Sequence, residues 1–232
     1  MGSTLELQTG ARTVGGVTRW LRVLLGVGLV GVLAVISGNL LGVGEADSRR
    51  AGAAEARPMT PLVMQSYVNA ATRVPALAPD CAGMSWHILA GIGAVESAHA
   101  GGRVLAANGD ITPPVIGPRL DGSGVGGNVT PFPDTDAGVL DGDLEYDRAV
   151  GPMQFLPETW QRWGRDGNDD GTNDPHNIFD ATLGAAAFLC GTVPVDLTDR
   201  AQLTDAITRY NRSPSYVADV LAFADSYAAA TP

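Results

Sequence analysis

The chain has 232 residues, enough for one domain with a sizeable core and an appended segment, and carries 15 Lys+Arg against 25 Asp+Glu for a net charge of −10. Every cationic side chain is Arg, and beyond residue 44 twelve Arg stand against twenty-four acids, a net charge of −12. Such a field argues against nucleic acid as a partner.

Residues 1–22 hold Arg12, Arg19 and Arg22 and read as a short cytoplasmic segment. The uncharged run 23–43 would span about 30 Å as a helix, which predicts a transmembrane or signal-anchor helix with everything after it exported. Small-residue sites at Ala51-Gly52-Ala53 and Ala54-Glu55-Ala56 leave cleavage open. Residues 44–58 are small and polar and read as a tether, and 59–232 as a single, mainly α domain.

Thr60-Pro61 predicts a helix start, with the helix running to about Arg73 and Pro75 and Pro79 lying beyond it. Cys81 and Cys190 both fall in the exported part, where two thiols usually pair; two separate buried thiols are the alternative. Ser85 can cap a second helix, stopped by Gly101-Gly102, on which Ile88, Leu89, Ile92 and Val95 form an apolar stripe. Glu96 lies on the edge of that stripe, near the negative end of the helix dipole. Burial and dipole both favour the protonated form, the requirement for a general acid; the alternative is a Glu on the rim reaching back to water. His99, three residues on, reads as an ordinary polar helix-end residue.

From 103 to 148 the texture turns to Gly, Pro and Asp without periodicity, which predicts one long loop and no sheet. Asp134, Asp136, Asp141 and Asp143 in it read as turn caps. Short helices are expected after Pro157 through Trp163, from Asp180 to Cys190, from Asp199 to Tyr210 and from Pro214 onward.

Between them, Asp166-Gly-Asn168-Asp-Asp170-Gly-Thr172 matches the first seven positions of an EF-hand calcium loop. Position 12 is Asn177 in place of Glu, so Asp180 is expected to close a lengthened loop, with Asp174 the other candidate. The bland alternative is a solvated loop bent through Asx-turns.

Four stretches in order resemble the B-type lytic murein transglycosylases, in their short exported form from GC-rich bacteria. Ile92-Gly-Ala-Val-Glu96-Ser97 is similar to the family's catalytic segment, and Gly151-Pro-Met153-Gln154-Phe155-Leu-Pro157 to its glycan-groove segment. Residues 166–180 look like its lengthened EF-hand, and Tyr210-Asn211 like the pair that closes the cleft. Ala98-His99-Ala100 departs from larger members, which often carry an aromatic there.

The resemblance implies a goose-type lysozyme-like domain that cleaves the MurNAc–GlcNAc bond of peptidoglycan and leaves a 1,6-anhydro sugar. Glu96 would act as acid and then base, beside substrate contacts from Ser97, Met153, Gln154, Phe155, Tyr210 and Asn211. A structural calcium would sit on Asp166, Asn168, Asp170, Thr172 and Asp180, and no organic cofactor is implied. The implied partner is the glycan strand, at the outer face of the plasma membrane or in the cell wall, with the N-terminal helix as a membrane contact unless cleaved. Two rivals remain: a hydrolytic muramidase in which Asp147 or Asp143 steers water, and an inactive wall-binding module.

Overall fold

In the computed structural model, which describes residues 55–230, helix α1 (Pro61–Leu77) begins where Thr60 accepts the Val63 N–H and Pro61 fills a position that needs no donor. It runs past the expected end at Arg73 and takes in Pro75. The proline sits in the last turn, where few bonds remain to lose, and Ala78 N–H closes that turn on Val74 O at 2.9 Å. Arg57, at the end of the expected tether, donates to Ala94 O at 2.8 Å and lies 5.0 Å from the Phe223 ring centre.

Strand β1 (Cys81–Ala82) leads to α2 (Trp86–Ser97), capped by Ser85 on the His87 N–H. The expected stop at Gly101-Gly102 is not the one used. Ala98, His99 and Ala100 take left-handed φ values of 49°, 62° and 57° and end the helix three residues earlier. Left-handed backbone costs about 1–2 kcal/mol per non-glycine residue, so the turn needs outside support. It gets that support from His99, described below.

The region expected as one loop is folded on itself. Strand β2 (Val104–Leu105) pairs antiparallel with β3 (Ile111–Thr112), and β4 (Ile116–Arg119) with β5 (Arg148–Val150), with a 3-10 turn at Val125–Gly127 between them. These ladders correct the expectation of no sheet; strands of two to four residues are too short to show an alternating pattern. Much of the remaining backbone bonding comes from carboxylates. Asp134 Oδ1 accepts from the Asp136 and Gly138 N–H groups, and Asp141 Oδ2 from that of Arg148 at 2.6 Å.

Helices α3 (Pro157–Trp163), α4 (Ile178–Cys190), α5 (Arg200–Tyr210) and α6 (Pro214–Ala230) complete the chain, and β6 (Val195–Asp196) before α5 pairs parallel with β1. The described part is thus mainly helical, as expected. The core forms where α2 lies along α6 and α1 along α4, around Tyr67, Leu89, Ile92, Leu189 and Ile207. Gly91 permits the first approach, since a Cβ there would meet Val220 O at 2.6 Å. The expected disulfide is present: Cys81 and Cys190, 109 residues apart, join β1 to the end of α4 across a Cα–Cα distance of 5.4 Å. No described helix is long and apolar enough to cross a membrane, and the expected span 23–43 lies outside the described residues.

Candidate active site

Glu96 comes from the last turn of α2, and its carboxyl faces inward as its place on the stripe predicts. Oε1 accepts the Tyr216 hydroxyl from α6 at 2.5 Å, while Oε2 is buried with no hydrogen-bond partner. Burial pushes the Glu96 carboxyl well above the usual carboxylate range, and the Tyr216 hydrogen bond pulls it partly back. A carboxyl whose burial favours the protonated form, with one oxygen fixed and the other free of protein partners, is equipped to donate a proton.

The next residue clamps the neighbouring turn. Ser97 Oγ donates to Pro152 O at 2.7 Å and accepts the Ala100 N–H at 2.8 Å. From the other side Tyr210, at the end of α5, donates its hydroxyl to Met153 O at 2.6 Å. The turn between β5 and α3 is therefore held by both α2 and α5. Its closure is a pair of backbone bonds, Val150 N–H to Phe155 O at 2.8 Å and Phe155 N–H to Val150 O at 3.0 Å.

Gln154 sits within that turn at φ 51°, an uncommon conformation for a non-glycine residue, and donates Nε2 to Gly151 O at 2.8 Å. Met153 and Phe155 are buried, and Phe155 stacks behind Tyr210 with ring centres 5.6 Å apart. These two hold up the site from beneath. Asn211, 6 % exposed, accepts the Ser213 N–H at 2.9 Å and shapes the link from α5 to α6.

Two residues that position Glu96 were not legible as such. Tyr216 reads in the sequence as one more aromatic near a helix start. His99 is buried, with Nδ1 2.9 Å from the Tyr67 hydroxyl and Nε2 2.7 Å from that of Tyr227. It ties the left-handed turn after Glu96 to α1 and α6, a structural role beyond that of the ordinary polar helix-end residue expected from the sequence. Burial, helped by the Arg57 charge, lowers its pKa to about 4.

The expected calcium loop is a separate structure. Asp166 Oδ2 accepts the Gly171 N–H at 2.8 Å, Asp170 Oδ1 the Thr172 N–H at 2.8 Å, and Asn168 Oδ1 the Asp170 N–H at 3.1 Å. Asp180, fully buried, closes the loop by accepting from Gly167 at 2.7 Å and Asp174 at 2.8 Å. Burial carries its pKa up to about 6 against those hydrogen bonds. Arg73 of α1 braces the loop through Gly167 O at 2.6 Å and Asp169 at 2.7 Å.

Among the described residues the set of three acidic side chains whose ligand atoms lie within 4.8 Å of one another is a different one: Asp134, Asp136 and Asp147. This triad could hold a metal ion, and Asp136 Oδ1 is buried there without a hydrogen-bond partner. The sequence reads Asp134 and Asp136 as turn caps and Asp147 only as a rival water-steering acid.

Comparison of the chain with family models, with curated proteins and with solved structures returned no match.

Proposed function

We propose that the chain is a peptidoglycan lytic transglycosylase with a lysozyme-like domain, acting outside the plasma membrane and anchored or released according to the fate of residues 23–43. The observation that carries the reading is the Glu96 carboxyl, buried and raised in pKa, with Tyr216 on Oε1 and no protein group on Oε2. The Glu96 carboxyl donates its proton to the oxygen linking MurNAc C1 to GlcNAc C4, and the bond from C1 to that oxygen breaks. The sugar's own acetamido oxygen stabilises the cation at C1. Tyr216 stabilises the carboxylate so formed, which then takes the proton from the C6 hydroxyl as O6 closes on C1. No water is consumed, and the product is a 1,6-anhydro sugar.

A hydrolase would ordinarily want a second carboxylate to direct water. The two candidates are engaged elsewhere. Asp147 accepts from Thr135 N–H at 2.9 Å and Thr135 Oγ1 at 2.8 Å. Asp143 is paired with Arg119 and Arg148; partial burial pushes its pKa up, but hydrogen bonds led by that from Arg119 outweigh this and hold it at about 2. Both facts support a single glutamate working twice. A structural calcium, on the 166–180 loop, belongs to the same reading.

Digestion of purified cell wall followed by mass spectrometry of the fragments tests it. Anhydro products that vanish in Glu96→Gln are expected, with a rate loss of at least a hundredfold, of the order assigned to general acid–base catalysis. Products with a reducing end and one added water, or a Glu96→Gln protein that clears wall as well as the parent, would sink the proposal.

A further inference from the structure

A cavity of about 850 Å³ opens beside the Glu96 site, within the size range of ligand pockets. Phe132, Trp163 and Phe188 supply its apolar wall, and Arg162, Arg209 and Arg212 line it with charge. Glu96, Gln154 and Asn211 are not among its lining residues. The two sites share a partition nonetheless. Phe188 packs edge-on against Tyr210 at 5.2 Å, and the Tyr210 hydroxyl is anchored on Met153 O beside Glu96. Tyr210 at the end of α5 thus anchors next to the turn after β5, while Arg209 just before it and Arg212 two residues after it line the cavity.

Three arginines line this cavity in a chain that is acidic overall. Of the other described arginines, Arg73, Arg119, Arg148 and Arg200 are paired with carboxylates, whereas Arg57 and Arg165 donate to backbone carbonyls. Arg162 and Arg209 have no carboxylate within salt-bridge distance among the described residues. Arg162 lies 5.2 Å from the Trp163 ring centre, and Arg209 gives one nitrogen to Leu189 O at 2.9 Å, which leaves guanidinium donors for a ligand. Two acids also line the cavity. Asp147 has both oxygens on Thr135, and Glu158 is exposed at the edge.

We propose that this cavity is a second binding site that takes the acidic peptide carried by the glycan strand, its carboxylates on Arg162, Arg209 and Arg212 and its aliphatic parts on the Trp163 and Phe188 faces. The assignment rests on the reading of the substrate as peptidoglycan, whose lactyl groups carry peptides with free carboxylates. Arginine forks against carboxylates give both affinity and orientation, so the peptide would fix which sugar bond reaches Glu96.

The test uses full-length Glu96→Gln protein in neutral detergent, titrated calorimetrically with N-acetyl-alanyl-γ-D-glutamyl-(Nε-acetyl)lysyl-D-alanine and with the same peptide amidated at both carboxyls. Saturable binding of the free acid is expected, weakened about tenfold or more by amidation and by the double change Arg162→Ala, Arg209→Ala, the size of losing one charged hydrogen bond. Arg162→Lys, Arg209→Lys should restore part of it, and binding of the uncharged tetramer of N-acetylglucosamine should not move in any variant. Equal binding of acid and amide, or an alanine variant that binds the acid like the parent, would overturn the proposal. The two readings fail separately: wall clearing by Glu96→Gln removes the catalytic one, whereas loss of carboxylate discrimination in the titration removes this one.

Discussion

The helical end around Glu96 and the segment from 103 to 177 are held together by opposite means. At the first, helices bury apolar stripes, and the few polar groups inside are paired across long sequence distances: His99 with Tyr67 and Tyr227, Glu96 with Tyr216. In the second, carboxylates bind backbone N–H groups a few residues away, and Asp143 gathers Arg119 and Arg148. The difference teaches where function can be placed. Groups such as Glu96 and His99 in the helical end have their proton affinities set by burial, whereas in the segment the partial burial of Asp143 is outweighed by hydrogen bonds from Arg119, nearby N–H groups and Arg148, which hold its pKa low.

The largest effect expected is at the one covalent tie. Replacing Cys81 and Cys190 by Ala releases a closure of 109 residues, for which the chain-entropy model gives about 4–5 kcal/mol. Urea unfolding under non-oxidising and oxidising conditions should show the parent losing that amount on reduction and the double variant losing nothing. A reduced parent as stable as the oxidised one would mean that helix packing alone holds α4 to β1.

Next comes His99, whose pKa falls from 6.5 to about 4 on folding. The unfolded chain therefore binds the extra proton between these values, so the stabilisation is present above pH 6.5 and is lost as pH falls toward 4. The full difference is about 3 kcal/mol. Thermal melts across that window should show a slope in the parent that flattens in His99→Gln. An unchanged slope would shift the acid sensitivity to other groups.

These two predictions also mark what the sequence made legible. The disulfide and the acid on an apolar stripe could be read because each depends on local pattern or compartment. His99 could not, because its partners lie 32 and 128 residues away and a helix-end histidine carries no sign of them. Tyr216 was hidden for a related reason: an aromatic in an apolar helix looks like core, and it is core, with one hydroxyl turned to Glu96. The small sheets of the 103–148 region failed for lack of length, since side-chain carboxylates take over bonds that a longer ladder would have displayed as alternation. The calcium-loop pattern at 166–172 could be expected from the sequence because its spacing is consecutive. The Asp134–Asp136–Asp147 grouping was not seen, because folding brings Asp147 back across the turn.

Those two acidic places can be told apart by calcium. Binding to the folded chain alone raises stability by about 2.7 kcal/mol at a hundredfold excess over Kd. Calcium should raise the melting temperature and EDTA lower it, and the shift should disappear in Asp166→Asn if the 166–180 loop holds the ion, or in Asp136→Asn if the triad does. No shift at millimolar calcium would remove the calcium proposal from both.

The smallest change is the subtlest test of the helical end, the loss of one hydroxyl in Tyr216→Phe. In the proposed reaction Glu96 begins protonated, so activity should fall on the alkaline side as pH rises through its raised pKa. The Tyr216 hydrogen bond favours the carboxylate and so works against burial. Without it the acid stays protonated to higher pH, and the alkaline limb of the rate profile on soluble wall fragments should move upward. The maximal rate should fall at the same time, because the carboxylate formed in the first step loses its donor. A purely structural tyrosine would lower the rate and leave the limb where it was. A limb that stays put or moves down would therefore separate Tyr216 from the chemistry, and would leave burial alone to set the proton affinity of Glu96.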